Sequence, residues 1–190
     1  MPNCEDCMVE GLSSVTNAGA NIFRFNSMTN AICMPYVEVF TGATFQNSPR
    51  IPELIIPRAK TLSGQTANIA RDAFNVALNG NTVINEGWGL KRLRIGDGLE
   101  SMGQNSFWNQ RNLKTIEFVT DDENWIDTWN NKVFLTQFFG VASAIEGKSD
   151  EASLTQLPRD QVPSSVYSVT GGYPTPTTLK RIRWSEADNQ

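Results

Sequence analysis

Three sets of residues in this 190-residue chain have types that could support chemistry: cysteines, clustered carboxylates and paired arginines. The cysteines are Cys4, Cys7 and Cys33, and the first two form a C-x-x-C pair. A structural zinc ion is held by four Cys or His ligands, but the chain has three cysteines and no histidine. We therefore expect no metal and no other cofactor. We interpret the cysteines as free thiols of a reducing cell, or as part of an N-terminal segment that docks elsewhere.

The carboxylates form a cluster at Asp121–Glu123, with Asp127 nearby. Such a group could bind calcium or act as a catalytic carboxylate pair, but its spacing is not that of a calcium-binding loop. The cluster directly precedes Trp125, Ile126 and Trp129, which recur at helical spacing. Acidic residues stabilise the first turn of a helix, so the pattern favours a helix start. A glycan-active enzyme that uses these carboxylates is the least favoured hypothesis.

The arginines occur in two similar phrases, L-K-R-L-R-I at 90–95 and L-K-R-I-R-W at 179–184. If the two phrases are strands of one sheet and lie close together, their arginines form a basic strip. Such a strip could bind an anion or an acidic partner, such as a protein surface or a glycan, or it could be an ordinary solvated sheet face. Tryptophan is common at interface centres, and Trp108 is the best single anchor. The predicted partner-binding residues are Arg92, Arg94, Arg181, Arg183 and Trp108.

Several functions are disfavoured by composition. Without histidine the chain lacks the commonest general base, and it has neither a serine nucleophile elbow nor a phosphate-binding loop. The formal net charge of −4 argues against nucleic-acid binding. No apolar run is long enough to span a membrane, and the N-terminus does not resemble a signal peptide. These observations predict a non-enzymatic protein that folds in a cytoplasm.

An internal repeat is the main architectural signal. The phrase L-x-x-L-x-I at 90–95 returns as L-x-x-I-x-F at 113–118, and related phrases end at Pro35 and Pro57. A period of about 20–29 residues with such a phrase is typical of a stacked repeat. The unit before 95 is longer, and residues 64–80 have the apolar spacing of an inserted helix.

The best-formed unit, Leu99–Phe118, closely resembles a BspA-type leucine-rich repeat, whose pattern is roughly V-x-x-I-G-x-x-A-F-x-N-C-x-x-L-x-x-I-x-I-P. Val37–Pro57 matches the same pattern, with Ser48 in the cysteine slot and Thr44 in the alanine slot. The resemblance covers about residues 12–118 and, more loosely, 173–184. It implies a non-catalytic binding or assembly protein of the kind found in bacterial surface adhesins, protist surface proteins and phage-encoded proteins.

The expected fold is an α/β-type repeat solenoid, a short leucine-rich-repeat stack with a parallel sheet on one face. We divide the chain into an N-terminal cap or docking tail (1–11), the solenoid (12–118), a helical and loop-rich excursion (119–172) and a final repeat-like strand and tail (173–190). Alternation within each strand also predicts which side chains are exposed. In repeat order, these are Ala31 and Cys33, Glu53 and Ile55, Arg92 and Arg94, Thr115 and Glu117, and Arg181 and Arg183.

The functional prediction follows from the repeat and from the absence of catalytic groups. We expect a structural or protein-binding component of a large assembly, specifically a phage virion protein associated with the tail or capsid. The alternative is a surface adhesion module that recognises a host protein or glycan.

Overall fold

The computed structural model describes residues 15–19, 22–23, 30–41, 51–62, 90–102, 114–131, 144–148, 150–155 and 177–187. These residues form two sheets and two short helices, an α/β-like arrangement in which most strands are parallel. No helix in this part of the chain is long and apolar enough to cross a membrane.

The larger sheet has seven strands in the order β2-β4-β6-β8-β11-β10-β9. Its strands are β2 (Ile32–Cys33), β4 (Glu53–Ile56), β6 (Arg92–Gly96), β8 (Thr115–Val119), β9 (Ala144–Lys148), β10 (Glu151–Thr155) and β11 (Thr177–Ile182). The first five in spatial order are parallel, and the two at the β9 edge pair antiparallel. The smaller sheet consists of β1 (Asn17–Ala18), β3 (Val39–Phe40), β5 (Thr61–Leu62) and β7 (Ser101–Met102), all parallel.

From β1 to β8 the chain alternates between the two sheets, and the pairing follows the sequence period. Ile32 pairs with Leu54, 22 positions on, and Leu54 pairs with Leu93, 39 positions on. Leu93 then pairs with Ile116, 23 positions on. The longer step exceeds the first by 17 positions, which is the length of the predicted insertion at 64–80. That insertion and its predicted helix lie outside the described residues.

The apolar core lies between the two sheets. It takes alternate residues from the large sheet and the apolar residues of the small one, including Phe40 and Leu62. The leading aliphatic residues of the repeat phrases, Ile51 and Leu90, are also fully buried. The last two apolar residues of each repeat phrase face the core, as expected for side chains that alternate with the predicted outward positions of a strand. They are Leu54, Ile56, Leu93, Ile95, Ile116 and Phe118.

The predicted helix after the acidic cluster is confirmed as α1 (Trp125–Asn131). Trp125 is buried in the core, and its ring centroid lies 6.3 Å from that of Phe118. The prediction of a helical and loop-rich excursion over 119–172 is wrong in part, because β9 and β10 occupy 144–148 and 151–155. These strands extend the large sheet beyond β11.

The last strand belongs to the large sheet, as predicted, but in a different register. The two similar phrases place Leu179 at the level of Leu90, whereas the structure aligns Leu179 with Ile116 and therefore with Leu93. Successive side chains of a strand alternate between its two sides, and the shift is by an odd number of positions, three. Every side chain of β11 therefore points to the opposite side from the prediction. In addition, β8 separates β11 from β6, so the two arginine phrases are not adjacent strands.

Candidate partner-binding site

The side of the large sheet that faces away from the core carries two of the five residues predicted to bind a partner, Arg92 and Arg94. One line of residues crosses five strands of this side and consists of Cys33, Ile55, Arg94, Glu117 and Lys180, each paired with the next. We call this line the outer row. Only its last member, Lys180, is exposed. The prediction that the first four are exposed is wrong: their exposed fractions are 3%, 7%, 2% and 8%.

A network of ion pairs connects the outer row to its neighbours. Glu117 accepts hydrogen bonds from Arg92 Nε at 2.8 Å and Arg92 Nη2 at 2.9 Å, and from Arg94 Nε at 2.6 Å. Arg92 also donates through Nη1 to Glu53 at 3.3 Å. The arrangement follows from the register, because Glu53 pairs with Arg92 and Arg94 pairs with Glu117. The pair of arginines on β6 is therefore largely neutralised within the protein.

The two arginines differ in their environment. The Arg92 side chain is 33% exposed, while that of Arg94 is 3% exposed. Burial alone would lower the pKa of Arg92, but the hydrogen bond and attraction of Glu117, with a smaller contribution from Glu53, raise this pKa above its ordinary value. Arg92 thus remains charged and presents one edge to solvent, whereas Arg94 is held as a buried charge.

The C-terminal arginines do not join this network. Arg181 lies on the core side of β11, aligned with Phe118, and its side chain is 7% exposed. It donates to Asp150 Oδ1 at 2.6 Å and to the carbonyl oxygen of Asp122 at 3.2 Å. Arg183 lies past the end of β11 and is exposed. The predicted continuous strip of four arginines is therefore wrong, because the odd register shift separates Arg181 from the β6 pair.

Of the tryptophans, Trp108 lies outside the described residues. Trp184 was predicted to occupy a strand position, but it begins a one-turn helix, α2 (Trp184–Ala187). Its indole lies against Gly96: a Cβ at that glycine would be 3.1 Å from the ring and 2.1 Å from the Pro57 carbonyl oxygen. The Arg58 guanidinium stands 5.1 Å from the centre of the same indole. The sequence indicated none of these contacts, because they bring together residues from segments that are far apart along the chain.

The acidic cluster has a structural role at the start of α1. Asp122 accepts hydrogen bonds from the Asn124 backbone N–H at 2.8 Å and from the Thr128 hydroxyl at 2.7 Å. The hydrogen bond from Thr128, followed by that from Asn124, lowers the pKa of Asp122. Asp121 accepts from the Trp184 backbone N–H at 3.2 Å. The preferred interpretation of the cluster as a helix N-terminus is confirmed.

Cys33 is disulfide-bonded, which contradicts its interpretation as a free thiol. The only other cysteines, Cys4 and Cys7, lie outside the described residues. Among the described residues, no group of three or more Cys, Asp or Glu side chains is close enough to hold a metal ion.

Comparison with known proteins identifies no relative. No family model matches the sequence, no curated protein matches it, and no solved structure matches the fold.

Proposed function

We propose that the chain is a non-enzymatic repeat protein, a short solenoid of the BspA-type leucine-rich-repeat kind. The proposal is supported by the regular spacing of the parallel strands. Two steps of the large sheet span 22 and 23 residues, and the β1-to-β3 and β3-to-β5 steps of the small sheet each span 22. A stack of similar units has these spacings, since each unit contributes one strand to each sheet and buries its apolar side against its neighbour.

The solenoid works as a structural or protein-binding component of a large assembly, specifically a phage virion protein associated with the tail or capsid. The non-enzymatic part of the proposal is supported by one observation: charged side chains that the sequence offered for binding or catalysis bind other groups of the same chain. Glu117 pairs with both arginines of β6, and Asp122 caps a helix. These groups therefore serve intramolecular stability. The virion location rests on the resemblance stated above and on the sequence expectations.

The location can be tested with particles purified from the source culture. Gradient-purified particles are analysed by quantitative mass spectrometry, with a particle-free supernatant as the control. We expect the protein to sediment with the particles at a fixed ratio to the major capsid subunit. If it is found only in the supernatant, the assembly proposal is wrong.

A second candidate function is a surface adhesion module that binds a host protein or glycan, and the bonded state of Cys33 favours it. Disulfides persist mainly in oxidising environments such as the cell exterior, and they are rare in the cytoplasm. The test is alkylation of protein recovered from its source without reduction. One free thiol per chain supports the adhesion module, whereas three free thiols remove the observation that favours it.

A further inference from the structure

We propose that the turns after β4 and β6 form a recognition site for an indole ring, and that Trp184 of the same chain fills this site as an autoinhibitory contact. When the segment that carries Trp184 lifts away, the site takes the tryptophan side chain of a partner protein. The inference rests on the contacts of the indole and does not depend on the proposed function.

Gly96 forms the base of the site. It is buried at the end of β6, and a Cβ at this position would lie 3.1 Å from Cζ2 of the Trp184 ring. Glycine is the residue that lets another group approach the backbone closely. The lack of a side chain at Gly96 therefore makes room for the aromatic ring.

Asp97 supplies the contact that distinguishes an indole from other aromatic rings. The Trp184 Nε1–H group donates to Asp97 Oδ1 at 3.3 Å. The indole nitrogen is a donor only, and hydrogen bonds to a carboxylate are stronger than those between neutral groups. A phenylalanine ring has no such donor, so the site should prefer tryptophan to phenylalanine.

Arg58 approaches the same ring from the turn after β4. Its guanidinium carbon lies 5.1 Å from the centre of the Trp184 ring and 5.8 Å from the centre of the Tyr36 ring. Both distances lie within the range of about 6 Å over which a cation and an aromatic ring attract each other, and tryptophan is the best such ring. Tyr36 thus helps to hold the guanidinium in place beside the indole.

Strand pairing does not bring Trp184 to this site. The residue follows β11, and β8 separates β11 from β6. Two strand spacings amount to about 10 Å, and the indole reaches across this gap to Gly96 and Asp97. The position of the ring therefore reflects its fit to the site rather than the register of the sheet.

The segment that carries Trp184 is held by contacts that lie at the surface. It forms the single turn of α2, in which Ala187 is the only buried residue. The Trp184 backbone N–H donates to Asp121 Oδ1 at 3.2 Å in an exposed hydrogen bond, and the ring itself is half-buried. Segments with exposed hydrogen bonds and little buried surface open at low cost. Trp184 can therefore leave without unfolding the sheet.

The ligand class follows from the residues of the site. Tryptophan, tyrosine and arginine are the residue types most enriched at the centres of protein interfaces, and such residues tend to pair with their like on the partner. Here Tyr36 and Arg58 stand beside an indole. A tryptophan presented by a partner protein can make the same contacts that Trp184 makes.

The first test opens the site in the full chain. The probe is N-acetyltryptophanamide, which carries the indole side chain without charged termini, and its binding to Trp184→Ala and to wild type is measured by titration calorimetry. A second probe is methylated on the indole nitrogen and lacks the N–H donor. The matched control variant is the double substitution Trp184→Ala with Asp97→Ala, which also lacks the acceptor.

We expect Trp184→Ala to bind the first probe several-fold more tightly than wild type does, and methylation to weaken this binding several-fold. The double variant should bind the two probes equally. The inference is overturned if Trp184→Ala binds no better than wild type, or if it does not distinguish the two probes.

The second test measures exchange in the wild-type chain, so it does not depend on the folding of Trp184→Ala. All five tryptophans are labelled with fluorine and observed by NMR, and the substitutions Trp184→Phe and Trp125→Phe identify two of the resonances. Trp125 is the control because it is buried in the core. We expect excess probe to shift the Trp184 resonance towards its position in the unfolded chain and to leave that of Trp125 in place. An unmoved Trp184 resonance overturns the inference, and so does an equal shift of both.

Discussion

Glu117 is the shared partner of two arginines, and its removal gives the sharpest test of the ion-pair network. Its side chain is 10% exposed and accepts three N–H groups within 2.9 Å. Glu117→Gln keeps the shape and a carbonyl acceptor but removes the negative charge. Arg94 then remains buried after losing the carboxylate charge that lies 2.6 Å from its Nε. We expect the variant to be clearly less stable than the wild type.

The magnitude follows from the burial of the pair. At an effective dielectric constant of about 20, opposite charges about 4 Å apart attract by about 4 kcal/mol. Removing one partner of a buried pair typically costs about 3–5 kcal/mol, because the other charge stays desolvated. For a domain of this size each kcal/mol lowers the melting temperature by about 2–4 °C. The expected loss is therefore about 6–20 °C in a thermal melt, with a matching shift of the urea midpoint.

Glu38→Gln is the matched control. Glu38 pairs with Lys60 at 2.9 Å, but these side chains are 40% and 47% exposed. Exposed pairs contribute about 0–1 kcal/mol, so this variant should unfold almost as the wild type does. If the two glutamine variants lose the same stability within about 1 kcal/mol, the buried network does not hold the sheet together as argued.

Two further predictions concern positions with other roles. Gly96→Ala should destabilise the fold by about 1–3 kcal/mol in urea titrations, because a Cβ would lie 2.1 Å from the Pro57 carbonyl oxygen. The control is Gly98→Ala, whose Cβ meets nothing within 4 Å and which should change the stability by less than about 0.5 kcal/mol. An equal loss of stability in both variants would contradict the steric argument. Asp122→Ala should be less stable than wild type at neutral pH, because the folded-state pKa of Asp122 is lowered by Thr128 and Asn124. The stability that the Asp122 carboxylate contributes is fully present above the ordinary aspartate pKa of about 4 and disappears as the pH falls through the lowered value. The urea midpoints of the wild type and Asp122→Ala should therefore converge in acid. A difference in midpoint that persists in acid would show that the charge of Asp122 is not the cause.

The core was predictable from the sequence because its pattern is local. Aliphatic residues two apart, such as Leu93 and Ile95, must point to one side of a strand, and both are fully buried. The start of α1 was equally local, since the acidic residues directly precede the helix. Both predictions required only the residues of one element.

The register of β11 and the burial of the outer row were not predictable, because they depend on contacts between distant elements. The phrase at 179–184 is similar to the phrase at 90–95. If the two phrases were aligned residue for residue, Trp184 would take the level of Ile95 and lie beside Phe118 on the core side. Trp125 already packs against Phe118 there. In the observed register Arg181 takes that level instead, and Asp150 neutralises it. Alternation likewise gave the direction of Arg94 but not its burial.

The geometry of Glu117 also limits how an acidic partner could use this face. A carboxylate arriving from outside would compete with Glu117, which already holds Arg94 at 2.6 Å. The guanidinium of Arg94 is buried, so only Arg92, at 33% exposure, can be approached without first uncovering the sheet. An acidic partner that approaches this face of the folded chain therefore reaches one of the two β6 arginines. Consequently Arg92→Ala should weaken the binding of an acidic peptide, whereas Arg94→Ala should change that binding little. Equal effects of the two variants, measured by titration calorimetry with an acidic peptide, would show that the buried arginine is reached as well.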